Sequence, residues 1–131
     1  PRPPERMPLN LSVAIITKNE EINLARTMES VRWAGEVVIV DCGSTDRTRE
    51  IAQAFDAKFF VEEWKGFGAQ KNSAIARCTG DWVLALDADE EVSAELAQEI
   101  RGLLSRSPTE EAYYLPRRNF FLGRWIRHGG Y

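Results

Sequence analysis

Histidine and cysteine are scarce in this chain: one histidine, His128, and two cysteines, Cys42 and Cys78, among 131 residues. A single histidine leaves little for a histidine-rich metal centre or a Ser-His-Asp triad. Two cysteines do not make a disulfide framework, and they fit a reduced, cytoplasmic compartment. A positive excess is missing as well. Lysine and arginine number 17 against 20 acidic residues, a net charge of −3, which argues against nucleic acid as a partner. The longest stretch free of charge, Met7 to Thr17, has 11 residues, whereas a membrane-spanning helix takes about 20 apolar ones. Pro1 to Pro8 is basic but has no apolar stretch after it, so it does not read as a secretory signal. Residues 1–9 are expected to form a disordered leader. No phosphate loop of the Gly-x-x-x-x-Gly-Lys-Ser/Thr type occurs.

What is present, 44% hydrophobic and 28% charged residues, suits a single domain over residues 10–131 with a core that needs no staples. Leu11 to Ile16 and Glu36 to Val40 are short apolar runs rich in β-branched residues, and both read as buried strands. Between them Leu24, Ala25, Met28 and Val31 predict one helical face. A second stripe, Thr48, Ile51, Ala52 and Phe55, has Ser44 or Thr45 as candidate N-cap and precedes a strand near Lys58 to Val61. Gly66 and Gly68 break the chain before a short helix from about Ala69 to Arg77. Trp82 to Leu86 predicts another buried strand. Ser93 then caps a helix carrying Leu96, Ile100, Leu103 and Leu104, which ends at Ser107 and Pro108. Strands alternating with helices imply parallel βαβ units, so the fold class is α/β with an open, mostly parallel sheet.

Ligands in such sheets sit outside the carboxyl ends of the strands. Here those ends read Thr17 to Glu21, Asp41 to Asp46 and Asp87 to Glu91. Asp87 and Asp89 offer hard oxygen ligands for Mg²⁺ or Mn²⁺, with a nucleotide diphosphate able to complete the shell; equally, Asp87 to Glu91 could simply favour the start of the next helix. Asp41 could accept a base N–H beside a turn at Gly43, or the segment could be a capped strand-to-helix turn. Asn19 could cap the first helix. Lys71 could reach a base or phosphate, or be a solvated lysine. From Ala112 onward the aromatic residues Tyr113, Tyr114, Phe120, Phe121, Trp125 and Tyr131 alternate with Arg117, Arg118, Arg124 and Arg127. That segment could face an acceptor or a membrane surface, or be core that a further part of the domain or a second copy completes.

Taken in order, Val13 to Glu21, Val40 to Asp46, Gly68 to Asn72 and Leu86 to Glu90 resemble the family 2 glycosyltransferases over about Leu11 to Tyr131. The segment Arg117 to Gly130 is similar to the bacterial branch that adds sugars to the lipopolysaccharide inner core. The resemblance implies the Rossmann-like nucleotide-binding half of a GT-A fold, a cytoplasmic site at the inner membrane face, and inverting transfer from a nucleotide-diphosphate sugar, a UDP-sugar, to a glycan or glycolipid. It also implies roles: Thr17, Asn19 and Glu20 line the nucleoside pocket, Asp41 holds the uracil, Lys71 lies near base and phosphates, Asp87 faces the ribose or donor sugar, and Asp89 binds the Mg²⁺ or Mn²⁺. Cys42 stands where many relatives have a second acidic residue. The family's acceptor-activating carboxylate falls beyond Tyr131, so no general base is assigned, and the chain is expected to stop inside a larger domain. Two rival readings are a nucleotidyltransferase, against which the missing glycine-rich phosphate loop speaks, and a nucleotide-binding module without turnover, dimeric through its aromatic segment.

Overall fold

The computed structural model describes residues 10–105, 112–114 and 121–124. Its elements run β1 (Leu11–Thr17), α1 (Leu24–Glu29), β2 (Glu36–Asp41), α2 (Thr48–Ala54), β3 (Lys58–Val61), α3 (Phe67–Ala76), β4 (Trp82–Ala85), α4 (Ala94–Ser105), β5 (Ala112–Tyr114) and β6 (Phe121–Arg124). The strands of the described residues form one sheet in the order β3-β2-β1-β4-β6-β5. The pairs β1–β2, β2–β3 and β1–β4 are parallel, whereas β4–β6 and β5–β6 are antiparallel. The chain begins in the middle of the sheet, steps outward to β3, then returns through α3 to lay β4 on the other side of β1. That reversal of direction opens a crevice at the carboxyl ends of β1 and β4, where an open α/β sheet binds its ligands.

β1 is buried at six of its seven positions, as befits a central strand covered on both faces. Leu11, Val13 and Ile15 pack with Leu24 and Met28 of α1, Ala52 of α2, and Leu96 and Ile100 of α4. The alternate residue Ala14 joins Val38, Val40 and Val83 against Ala74 and Cys78 at the α3 side. The other end of the sheet is pinned by Glu36. Its carboxylate accepts bonds from Ser12 Oγ (2.6 Å), Lys58 Nζ (2.6 Å) and Thr79 Oγ1 (3.0 Å) as well as the Thr79 N–H. Burial pushes this carboxyl up, but the bonds from Lys58, Ser12 and Thr79 outweigh it and hold the pKa at about 2. Gly80 fits because a Cβ there would meet Asn10 O at 2.6 Å.

The structure corrects several local expectations. α2 has Arg47 at its N-cap without a side-chain bond, and Asp46, not Ser44 or Thr45, secures its first turn by accepting from Thr48 N–H (2.9 Å) and Oγ1 (2.6 Å). Ala25 is exposed and Thr27 takes the buried place, because its hydroxyl reaches the Ala88 carbonyl at 2.7 Å. α3 starts at Phe67 rather than near Ala69, Gly66 supplying the turn with φ 100°. Ser93 does cap α4, accepting the Leu96 N–H at 3.0 Å. The leader 1–9 and the stop at Ser107 and Pro108 lie outside the described residues.

Candidate functional site

Three connections leave the carboxyl ends of β1, β2 and β4, and the first two are latched together. Asn19 has a left-handed backbone, φ 54°. Its Oδ1 accepts the N–H groups of Thr45 (2.8 Å) and Asp46 (3.3 Å), and its own N–H donates to Ser44 Oγ (2.6 Å). Glu20 N–H donates to Thr48 Oγ1 (2.8 Å), and Glu21 Oε1 accepts the Arg47 N–H (2.9 Å). Asn19 therefore joins two loops rather than capping α1, whose N-cap position is Asn23.

Asp41 is the hub beneath this latch. Only 2% exposed, it accepts at Oδ1 from Thr17 Oγ1 and Ser44 Oγ, both 2.6 Å, and at Oδ2 from the N–H groups of Gly43 (2.8 Å) and Ser44 (2.7 Å). Burial alone would raise its pKa, but the bonds from Ser44, Thr17 and Gly43 outweigh that and lower it. A carboxylate has about four lone-pair sites, and here the chain fills them. Asp41, the expected acceptor of the base N–H, thus already accepts four bonds from the chain, and the neighbouring Cys42, half-buried and free, lines open space.

After β4, the turn Asp87 to Glu90 closes with the Glu90 N–H on Asp87 O (3.0 Å) and the Asp87 N–H on Glu90 Oε1 (3.1 Å). α1 holds the same loop through Thr27 on the Ala88 carbonyl and Ser30 Oγ on the Val92 N–H (3.0 Å). Asp87 is left half-buried and Asp89 exposed. Lys71 of α3 comes to the same place, its Nζ 3.4 Å from Asp87 Oδ1. Glu20 belongs to this neighbourhood too: burial, then the charges of Asp89, Asp46 and Asp87, raise its pKa. Acidic side chains gathered this closely mark a place where a cation is favoured. No three His, Cys, Asp or Glu side chains among the described residues are grouped to cage a metal ion. The donor set nevertheless fits a hard divalent cation that takes one or two carboxylates and completes its shell from phosphates and water.

The structure thus brings Thr17 to Asp41, Lys71 to Asp87, and Glu20 into the field of Asp87 and Asp89. Sequence reasoning missed Trp64 and Phe67. Both line a hollow of about 480 Å³ with Ile16, Thr17, Lys18 and Cys42, and Phe67 lay in plain view between Gly66 and Gly68. Of the aromatic and arginine segment, Tyr113 and Tyr114 fall in β5, and Phe121 and Arg124 in β6. Arg117, Arg118, Phe120, Trp125, Arg127, His128 and Tyr131 lie outside the described residues. Among the described residues, no helix is long and apolar enough to cross a membrane.

With this geometry in hand, comparisons with known proteins agree on one family. The chain is 50% identical over 96 residues to an uncharacterized glycosyltransferase of Rickettsia typhi, a match covering 72% of this chain and 33% of that protein. It is 37% identical over 120 residues to the lipopolysaccharide core biosynthesis glycosyltransferase LpsC of Rhizobium meliloti, covering 88% of this chain and 44% of the relative. Among solved structures, glucosyl-3-phosphoglycerate synthase of Mycobacterium tuberculosis, in complex with Mn²⁺, UDP-glucose and phosphoglyceric acid, aligns at TM-score 0.53 and 25% identity over 60% of this chain and 32% of that one. The chain spans between a third and less than half the length of the two sequence relatives. Its sheet is the nucleotide-binding half of the GT-A architecture. Residues 12–128, which include all three strand-end clusters, match glycosyl transferase family 2, and the chain belongs to that family.

Proposed function

We propose that this chain is the donor-binding half of an inverting glycosyltransferase that uses a UDP-sugar and Mg²⁺ or Mn²⁺ in lipopolysaccharide or other cell-envelope glycan synthesis. The observation that carries the reading is the convergence of Lys71, Asp87, Asp89 and Glu20 at the switch point of the sheet, beside a hollow walled by Trp64 and Phe67. The M. tuberculosis synthase bound to Mn²⁺ and UDP-glucose and the LpsC relative support the donor class and the pathway.

In this reading the acceptor hydroxyl attacks the anomeric carbon from the side opposite the diphosphate. The bond from that carbon to the diphosphate oxygen breaks, and UDP leaves. Asp89 would hold a divalent cation, which would supply positive charge at the leaving diphosphate. The chain's own residues supply the rest. Thr17, Asn19 and Asp41 fix the two loops that frame the nucleoside, Glu20 borders it, and Lys71 offers a mobile cation that Asp87 keeps near the phosphates and ribose. The acceptor is a glycan or glycolipid, and no described residue is assigned to take its proton.

Calorimetric titration of UDP tests this. The expected result is binding that needs Mn²⁺, vanishes with a chelator, and loses its metal dependence in Asp89→Ala. A folded sample that gives no metal-dependent heat overturns the proposal.

A further inference from the structure

Among the exposed large hydrophobic side chains, Trp64 and Phe67, 49% and 71% exposed, stand together at the rim of the hollow, as an interaction patch does. They stand close, ring centroids 4.9 Å apart and planes at 88°, so together they make a corner, one ring face and one ring edge. The loop that carries them is braced. Glu62 N–H donates to Asp41 O (2.8 Å), and the Glu62 carboxylate accepts from Lys65 Nζ (2.7 Å) and Arg77 Nη2 (2.8 Å). The bond from Lys65 holds this carboxyl low; burial opposes it, bonds from Arg77 and Ser73 add to it, and the pKa is about 2. Lys65 N–H donates to Oε1 of Gln70 (2.9 Å), a side chain 1% exposed. Gly66 turns the chain between the two aromatics with φ 100°. A loop fixed at Glu62 and Gln70 holds its rings toward the hollow instead of letting them collapse onto the core.

We infer that the Trp64 and Phe67 corner is the platform on which the planar base of the donor rests, with Cys42 on the wall of the same pocket. The inference rests on the donor reading above and deepens it. The hollow joins an aromatic corner to Thr17, Lys18 and Glu20, and Glu20 shares the electrostatic field of Asp87 and Asp89. A ligand matched to that run has a flat, weakly polar head and a charged tail that brings a cation, which is the layout of a nucleoside diphosphate. Stacking is tolerant of base identity because every base has a π-face, so the corner grips the base while the Thr17 and Cys42 edge is left to discriminate.

The test compares UDP with inorganic pyrophosphate, both with Mn²⁺, on the whole chain and on Trp64→Ala, Phe67→Ala and Trp64→Phe. Trp64→Ala and Phe67→Ala should weaken UDP by roughly 5- to 100-fold, leave pyrophosphate unchanged, and keep the wild-type circular dichroism; Trp64→Phe should retain most of the affinity. UDP should also shield Cys42 from iodoacetamide in the wild type but not in Trp64→Ala, while Cys78, 1% exposed, stays unreactive throughout. If the alanine variants bind UDP as tightly as the wild type, or lose UDP and pyrophosphate alike, the platform is overturned and the donor site stands. If the wild type binds pyrophosphate but not UDP, or neither, the donor reading falls and takes the platform with it.

Discussion

Asp41 shows how one buried carboxylate can tie the loops of a site together. Its four bonds come from Thr17, Gly43 and Ser44, so an amide in its place would turn two donor hydrogens toward groups that themselves donate. Asp41→Asn is expected to cost about 2–3 kcal/mol, read as a lower denaturation midpoint, with a fall in UDP affinity secondary to it. An unchanged midpoint would argue that the carboxylate is free. Glu36 gives the pH arithmetic. Its pKa is lowered from an ordinary 4.5 to about 2, so the stability it contributes is fully present above pH 4.5 and is lost as pH falls toward about 2. Glu62 follows the same window. Glu36→Gln should lower the melting temperature at neutral pH and flatten the decline between about pH 4.5 and 2; wild-type and variant melting curves that fall in parallel would refute the assignment. These residues differ in how legible they are. Asp41 and Asp87 stand out because they follow buried strands at the sheet edge where ligands bind, and Lys71 because it follows a two-glycine break. The partners of Asp41 do not stand out, since which serine or threonine reaches a carboxylate depends on loop paths that no local pattern encodes.

The strands and helices were legible where one periodicity dominated. β1, β2 and β3 fall within a residue of their expected limits, the first two because β-branched runs bounded by polar clusters read as buried strands. Ser93 marked the start of α4, but the start of α2 was not legible, since a side-chain cap competes with tertiary partners: Ser44 is drawn to Asp41 and Asn19, which leaves Asp46 to fix α2. β5 and β6 were invisible for a different reason, as three- and four-residue antiparallel strands are specified by the edge they pair with. Two glycines separate backbone need from mere tolerance. At Gly80 an added Cβ would meet Asn10 O and Ser12 Oγ at 2.6 and 2.8 Å, and the first of these is backbone that cannot step aside. Gly68, in the first turn of α3, has nothing within 4 Å of its would-be Cβ. Gly80→Ala should therefore destabilise by about 1–3 kcal/mol, while Gly68→Ala should stabilise by about 0.5–1 kcal/mol by favouring helix. Urea denaturation of the two variants checks both signs; equal effects would refute the distinction.

Across the whole molecule, the site is a property of topology. β1, β2 and β4 each contribute one loop, and α3 contributes Lys71 from the opposite face, so no single segment holds the clustered residues. This is why the sequence could name the clusters and the fold class but not their mutual geometry: parallel pairing brings together residues 17, 41 and 87, separated by tens of positions, only once the crossover helices are packed. A ligand spanning those loops should stabilise the domain as a unit. With no three-residue cage among the described residues, Mn²⁺ alone should bind weakly and scarcely move the melting temperature. UDP alone must set its diphosphate beside Asp87, Asp89 and Glu20, the last with its pKa raised by burial and then by the charges of Asp89, Asp46 and Asp87, and should help little. Together each neutralises what the other lacks, and at ligand 100-fold above Kd the gain is about 2.7 kcal/mol. The shift from the pair should therefore exceed the sum of the two separate shifts, and Asp89→Ala should reduce it to that sum. Thermal melts with Mn²⁺, UDP and both decide it, since a strictly additive shift would mean that metal and nucleotide occupy unconnected places on the sheet edge.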